Sequence, residues 1–369
     1  MIFPDFETSI LNVSATLAKY LGNESEYKSL PVLETELYKD YKNVVLIVMD
    51  AMGQSTIDQH LKPTSFIRKN NRQTITSVFP STTTCATTTL LNAKSPAEHG
   101  WFAWAMNFKE ISRTLKLYKN QDYYTNEKLE GENYARKRLG YEYFFSNVKN
   151  HDVYTCMPAE INFKTHADKN VNFTNTKQMF KSLNDICKKP NAKFVYAYND
   201  VPDMIMHDFG TQSKKIKKFL KMLDAKLEKL NKKNPDTLLV ITADHGMIDI
   251  AEHVEIYKDK EITNCLEQNL SLEPRAAAFH VKKEMHAKFK SAFKKYEQDF
   301  ELFTTKQLID KGVFGKFTGD KNKEFLGDFI AIAKTDKALA FKQKDFYKAN
   351  HTGTSKQEML VPLIIKGGK

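Results

Sequence analysis

The run Asn43-Val44-Val45-Leu46-Ile47-Val48-Met49-Asp50 decides the fold. Its unbroken apolar character from Val44 to Met49 suits a strand covered on both faces, the kind that fills the middle of a parallel sheet. Asp50 then emerges at the carboxyl end of that strand, where open α/β sheets bind their ligands. Further strands are expected over residues 152–157, 193–198 and 238–242, with a helix over about 174–188 between the first two. Strand, helix and strand in that order argue for a parallel sheet. Residues 9–21 place Ile10, Val13, Leu17 and Leu21 on one helical face, and residues 213–230 carry the stripe Ile216, Phe219, Leu220, Leu223 and Leu227. Both read as packing helices.

Downstream lies Ser77-Val78-Phe79-Pro80-Ser81-Thr82-Thr83-Thr84-Cys85-Ala86-Thr87-Thr88-Thr89-Leu90-Leu91. A short β-type run reaches Pro80, and a hydroxyl-rich turn opens into a helical segment. Free backbone N–H groups and the positive end of the helix dipole favour an anion at such a junction, phosphate included. A single Thr there would mean only a cap or a turn. What changes its weight is the set of residues that accompany it: Asp50, Asp203 and His207 in the segment 200–207, Asp244 and His245 at the end of the strand 238–242, and His351 in the loop 350–355. Three carboxylates and three imidazoles form a donor set suited to two divalent metals. Asp203 and His207 are four apart, so a helix would put both on one face. Asp244 and His245 can serve one ion only where the strand ends and turns, which Gly246 permits.

Taken in order, the pieces are a strand ending in Asp50, Phe-Pro-Ser-x-Thr at 79–83, Pro-x-x-His-Gly at 96–100 and Asp-x-x-x-His-x-x-Gly at 203–210. Asp-His-Gly-Met at 244–247 follows, then His-x-Gly at 351–353 before Met-Leu-Val-Pro-Leu-Ile at 359–364. This ordered set resembles the alkaline phosphatase superfamily, in its branch of type I phosphodiesterases and nucleotide pyrophosphatases. The resemblance implies a three-layer α/β/α sandwich with a mostly parallel central sheet. It implies Thr83 as nucleophile, since the family's nucleophile is the third residue after Phe-Pro, with Asp50, Asp244 and His245 beside it on one zinc. Asp203, His207 and His351 match the ligands of the other zinc. The family often has Gly after the first Asp, where this chain has Ala51. Several members carry an Asn after His-Gly that holds phosphoryl oxygens; the neighbourhood here is aromatic, and Asn107 a few residues on is the substitute. Trp101 and Trp104 read as core aromatics or as a wall for a base or another apolar leaving group. His99 reads as a supporting histidine and His253 as a rival ligand on an exposed loop.

The expected activity is metal-dependent hydrolysis of phosphodiester or pyrophosphate bonds in a small phosphorylated, nucleotide-type substrate, through a phosphothreonine. Imidazole and carboxylate without thiolate suit zinc for the two divalent ions, with manganese or iron as alternatives and magnesium disfavoured by its preference for an oxygen shell. A phosphomonoesterase or phosphonate hydrolase of the same superfamily is the enzymatic alternative. A basic binding protein on an inactive fold is the other, and the complete donor set argues against it. Sulfatases require Cys or Ser followed by Arg, which residues 85–89 lack. Phe79, Thr82, Thr84, Trp101 and Trp104, the residues expected around the transferred group, include no Arg or Lys, which favours a diester over a monoester. Arg275 or a lysine of the insertion could alter that by folding over the site.

Residues 270–341 read as a small α+β insertion, a cap on a catalytic domain formed by 1–269 and 342–369, and residues 108–150 as loops over the active-site face. The 369 residues are 41% hydrophobic and 27% charged, ordinary for a globular protein. The net charge of +11 is spread over lysine-rich helical segments, which reads as a solvated surface and argues against a nucleic-acid groove. Four cysteines without a CxxC signal neither a disulfide framework nor a thiolate zinc site. Residues 1–7 carry no basic segment followed by an apolar core, and no window approaches the roughly 20 apolar residues of a membrane span, so a cytoplasmic protein is expected.

Overall fold

The computed structural model describes residues 1–140, 142–160, 169–343 and 346–368. The strand Asn43–Met49 lies in the middle of a seven-stranded sheet, ordered Asn71–Thr76, Leu360–Gly367, Thr237–Thr242, Asn43–Met49, Lys193–Asn199, Asp152–Pro158, Lys169–Phe173. Every residue of Asn43–Met49 is buried, and it pairs in parallel on both edges, with Val45 opposite Val195 on one side and Leu239 on the other. With both edges and both faces covered, no position on it can hold a solvated side chain, which accounts for the unbroken apolar run. Leu360–Gly367 runs against its two neighbours, and the other strands of the sheet share one direction.

Helices cover both faces and complete the three-layer α/β/α sandwich. Ile10–Tyr20 packs against Thr83–Asn92, where Ser14 Oγ donates to the Leu90 carbonyl at 3.0 Å. Lys214–Lys233 packs over Gln54–His60, Thr176–Cys187 and Val201–Phe209. Its stripe Ile216, Phe219, Leu220, Leu223 and Leu227 is buried, and its start is capped by Ser213, whose side chain accepts from the Ile216 N–H. The lysines of that helix fall on the other face, as a 3.6-residue period requires.

A second sheet, antiparallel throughout, has the order Phe300–Thr304, Phe329–Ala333, Ala276–Phe279, Ser271–Glu273, Ala105–Phe108, Arg113–Lys116, Gln121–Asp122. Its two faces feed separate cores. Ala276, Ala278, Ile330 and Ile332 join Phe79, Trp101 and Phe102, whereas Ala277, Phe279, Phe329 and Ala331 join Phe289 and Phe293. That is the period-2 alternation of strands buried on both sides.

This sheet corrects two expectations. Residues 270–341 do not build it alone, because three of its strands come from 105–122, joined at Leu272 opposite Ala105. The segment 108–150 accordingly holds strands as well as loops. Pairing across more than 150 residues leaves no local mark, and the three contributed strands are only four, four and two residues long. No helix among the described residues is long and apolar enough to cross a membrane.

Candidate active site

The carboxyl ends of the parallel strands converge on the start of the helix Thr83–Asn92. Asp50 directly follows Asn43–Met49, Asp203 and His207 lie on the helix Val201–Phe209 that follows Lys193–Asn199, and Asp244 and His245 follow Thr237–Thr242. His351 arrives from the loop before the last strand. All six meet in one cluster. The donor atoms of Asp50, Asp244 and His245 lie within 4.8 Å of one another, as do those of Asp203, His245 and His351. His207 Nε2 stands 3.3 Å from Asp203 Oδ2. His245 therefore adjoins both groups, with its ring stacked on His351 at 3.9 Å between centroids.

Each histidine is aimed by a backbone carbonyl. Nδ1 of His207 lies 2.8 Å from the Ala349 oxygen, Nδ1 of His245 3.0 Å from that of Gly246, and Nδ1 of His351 3.1 Å from that of Ser81. An Nδ1–H donated to a carbonyl leaves the Nε2 lone pair facing the cluster, the orientation typical of metal-ligating histidines. Asp203 Oδ1 and Asp244 Oδ2 are buried without a hydrogen-bond partner. Buried carboxylate oxygens with no donor are costly unless a cation meets them. Chemically, the donor set fits divalent metal.

Burial pushes the Asp50 carboxyl up, and Asp203 adds repulsion; burial, then Asp50, pushes Asp244 well up. Burial also works against protonated His245, but Asp244 and Asp50 outweigh it and hold the imidazole up to about 10. Without a metal, the proton on His245 thus supplies the positive charge. Burial would raise Asp203 too, yet His207 and His351 bring it down to about 2. His351 is pushed well down by burial and by neighbouring His245.

The three consecutive threonines face different surroundings. Thr83 Oγ1 lies 3.2 Å from His245 Nε2 and 3.4 Å from Asp50 Oδ2. Thr82 Oγ1 donates to Glu273 Oε1 at 2.7 Å, and Thr84 Oγ1 is buried without a hydrogen-bond partner. Thr83 occupies the first position of its helix, so its N–H and that of Thr84 precede the first intrahelical bond, from Ala86 N–H to the Thr82 carbonyl at 2.9 Å.

A cavity of about 600 Å³ opens over this cluster, lined by Asp50, Thr83, Asp203, His207 and His351 from one side and by Trp104, Lys116, Tyr118, Lys119, Tyr123, Glu273 and Lys342 from the other. Trp104 lies on the wall where the sequence puts it. Trp101 is fully buried behind it, packed on Tyr118 at 6.0 Å. Asn107 is a correction: its amide donates to the Asn269 carbonyl and accepts from Thr114, and it lines a different cavity. Arg275 is also unavailable to substrate, being buried in a forked pair with Glu358. His99 sits buried against Thr89 and the Trp101 N–H, a support for the helix Thr83–Asn92, and His253 accepts from the Tyr347 N–H.

Glu273, Tyr198, Lys119 and Lys342 escaped the sequence reading. Glu273 accepts from Thr82 and from the Trp104 N–H at 2.7 Å, and burial raises its carboxyl to about 7. Tyr198 donates its hydroxyl to Asp50. Nothing in the local sequence marks any of the four.

The model of type I phosphodiesterases / nucleotide pyrophosphatases matches residues 44–355. The chain belongs to that family. Comparison with curated proteins gives no match. Among solved structures, the family fold recurs in murine ectonucleotide pyrophosphatase / phosphodiesterase 5, as an inactive variant in complex with AMP. That structure is 16% identical with a TM-score of 0.68, and the alignment covers 88% of each chain. The human counterpart is 17% identical with a TM-score of 0.67, over 88% of this chain and 87% of that one. Phosphonoacetate hydrolase from Sinorhizobium meliloti, in complex with phosphonoformate, is 14% identical with a TM-score of 0.65, over 87% of this chain and 89% of that one. At such identities the likeness is one of fold. Membership places the chain among metal-dependent hydrolases of phosphoester-type bonds in the alkaline phosphatase superfamily.

Proposed function

We propose that the protein hydrolyses phosphodiester or pyrophosphate bonds of small, nucleotide-type substrates through a phosphothreonine on Thr83. The observation that carries this reading is the position of Thr83 Oγ1, the one hydroxyl of three that reaches the Asp50 and His245 side chains. Asp50, Asp244 and His245 would hold one divalent ion beside Thr83, and Asp203, His207 and His351 the other. Zinc suits these nitrogen and oxygen donors, and such ions, when bound, make a hydroxyl or water nucleophilic and offset charge on the transferred phosphoryl group. Thr83 Oγ1 attacks phosphorus and expels the leaving oxygen, and water then cleaves the Thr83 ester. Asp50 aligns the hydroxyl, while the Thr83 and Thr84 N–H groups face the phosphoryl oxygens at the helix start. Trp104 seats the second substituent of a diester. The four cysteines are buried and none is disulfide-bonded, which supports a reducing, cytoplasmic setting.

Phosphonate or monoester hydrolysis gains weight from Lys116, Lys119 and Lys342, because cations in the cavity wall suit a more highly charged substrate than the sequence alone favoured. The decisive experiment is a panel of diester, pyrophosphate, monoester, phosphonate and sulfate substrates with zinc supplied. Turnover of the nitrophenyl ester of thymidine 5′-phosphate above nitrophenyl phosphate is the expected result. Preference for the monoester or a phosphonate would replace the diester reading, and a metal-loaded protein inert to the whole panel would refute hydrolysis.

A further inference from the structure

The two sides of the cavity differ in charge, with Asp50 and Asp203 on one and three lysines beside Glu273 on the other. The central sheet contributes Asp50, Asp203 and, farther along, Asp200 and Glu160. Burial raises the Asp200 carboxyl from its ordinary value, and Asp203 and Glu160 add repulsion. The facing wall carries lysines on aromatic rings. Lys119 is exposed, with Nζ 5.7 Å from the Trp104 ring centre, and Lys342 is half-buried, with Nζ 4.1 Å from the centre of Tyr123. Lys342 also donates to the Tyr123 carbonyl. Neither lysine meets a carboxylate among the described residues, whereas Lys116 is held by Asn126 Oδ1 at 2.7 Å and by Gln121 Oε1.

We propose that Lys119 and Lys342 form a second anion-binding subsite, so that the substrate carries a further anionic group, phosphate or carboxylate, on the substituent seated against Trp104 and Tyr123. The inference rests on the hydrolase reading above and adds a substrate class to it. An ammonium over a ring keeps its outer N–H donors for a ligand, and the ring holds its stem in place. Tethering Lys342 to the Tyr123 carbonyl fixes its position before a ligand arrives, which reduces the ordering cost of binding. Asp200 and Glu160 repel a second anion from the opposite wall, so the charge pattern orients the substrate as well as attracting it. Lys119 comes from the hairpin 113–122 and Lys342 from the segment between Lys337–Leu339 and Ala349–Asn350, parts of the chain that only folding brings together.

The test separates binding from turnover. Zinc-loaded protein carrying Thr83→Ala holds ligands without cleaving them and is titrated calorimetrically with AMP against ADP and with methylphosphonate against phosphonoacetate. At least one ligand with two anionic groups should bind about tenfold or more tightly than its partner. A gain with ADP alone assigns the subsite to phosphate, and a gain with phosphonoacetate alone to carboxylate. Adding Lys119→Ala and Lys342→Ala should abolish that gain while AMP and methylphosphonate bind as before. Lys119→Gln and Lys342→Gln, which keep the stems on the rings, should repeat the result. The proposal is overturned by an equal affinity for both members of each pair, by a gain that survives the lysine changes, or by equal losses for ligands with one and with two anionic groups. A wild-type protein with no turnover of any panel substrate would instead refute the hydrolase reading, and the calorimetric ratios would still report on the subsite.

Discussion

At the level of single residues, one hydroxyl in three reaches the cluster. Successive residues at a helix start point roughly 100° apart, so only one of Thr82, Thr83 and Thr84 can face the cluster, and it is Thr83. Thr83→Ala should lower kcat by at least about 10³-fold, the scale on which removal of a nucleophile acts. Metal content, measured by atomic absorption, should hardly change, because the Asp and His donors remain. Turnover that survives Thr83→Ala but is lost in Thr82→Ala or Thr84→Ala would move the nucleophile by one residue. Backbone conformation around the site is equally specific. Ala51 beside Asp50, Leu272 beside Glu273 and Thr352 beside His351 all take positive φ, at 58°, 65° and 88°. Each costs on the order of 1–3 kcal/mol and persists only where packing and hydrogen bonds enforce it, which is common at functional sites. Gly246 is required for a different reason from the turn expected of it: a Cβ there would stand 1.9 Å from the Gln357 carbonyl oxygen.

At the level of elements, the loop that delivers His351 is held by one buried ion pair. Arg275, next to the second sheet, places its guanidinium 2.6 and 3.0 Å from the two oxygens of Glu358 and also donates to the Thr335 and Lys337 carbonyls. Glu358 in turn accepts from the Gly353 N–H at 2.7 Å and from Ser355 Oγ at 2.6 Å. Removing the cation leaves a buried carboxylate unmatched, so Arg275→Met should cost about 3–5 kcal/mol in urea unfolding and loosen metal on the His351 side. A loss under 1 kcal/mol would show that the pair does not anchor the loop. This pair also marks the limit of what the sequence could disclose. The central strand, the helix 214–233 and the six residues that meet in the cluster were legible, because a buried strand must be apolar, a surface helix must show a 3.6 period, and the ordered motifs of the resemblance picked out the six. The second sheet was not legible, since its short strands pair across long separations. Nor were Glu273 and Lys119, which that pairing brings to the cavity, or Lys342, which reaches it from the segment between Lys337–Leu339 and Ala349–Asn350. The three left-handed positions lacked the glycine that would have announced them.

For the molecule as a whole, the fold gathers three carboxylates, two of them fully buried, and three imidazoles and must neutralise them. In metal-free protein the neutralising charge is a proton, chiefly on His245. Its ordinary value of 6.5 rises to about 10 on folding, so metal-free folding takes up a proton between those limits. A basic group raised in this way contributes stability that is present below 6.5 and is lost as pH climbs toward 10. His207, raised as well by Asp203 against the opposing effect of burial, acts in the same direction. Bound metal needs those ligands deprotonated and so is favoured as pH rises. The difference in Tm between zinc-loaded and chelated protein should therefore widen steadily from pH 6.5 to pH 9. Chelation should also abolish turnover throughout that range, with activity restored by added zinc. Scanning calorimetry at matched ionic strength measures the first effect. A difference that stays flat or narrows with pH would mean that the proton on His245 and the metal do not compete for one site.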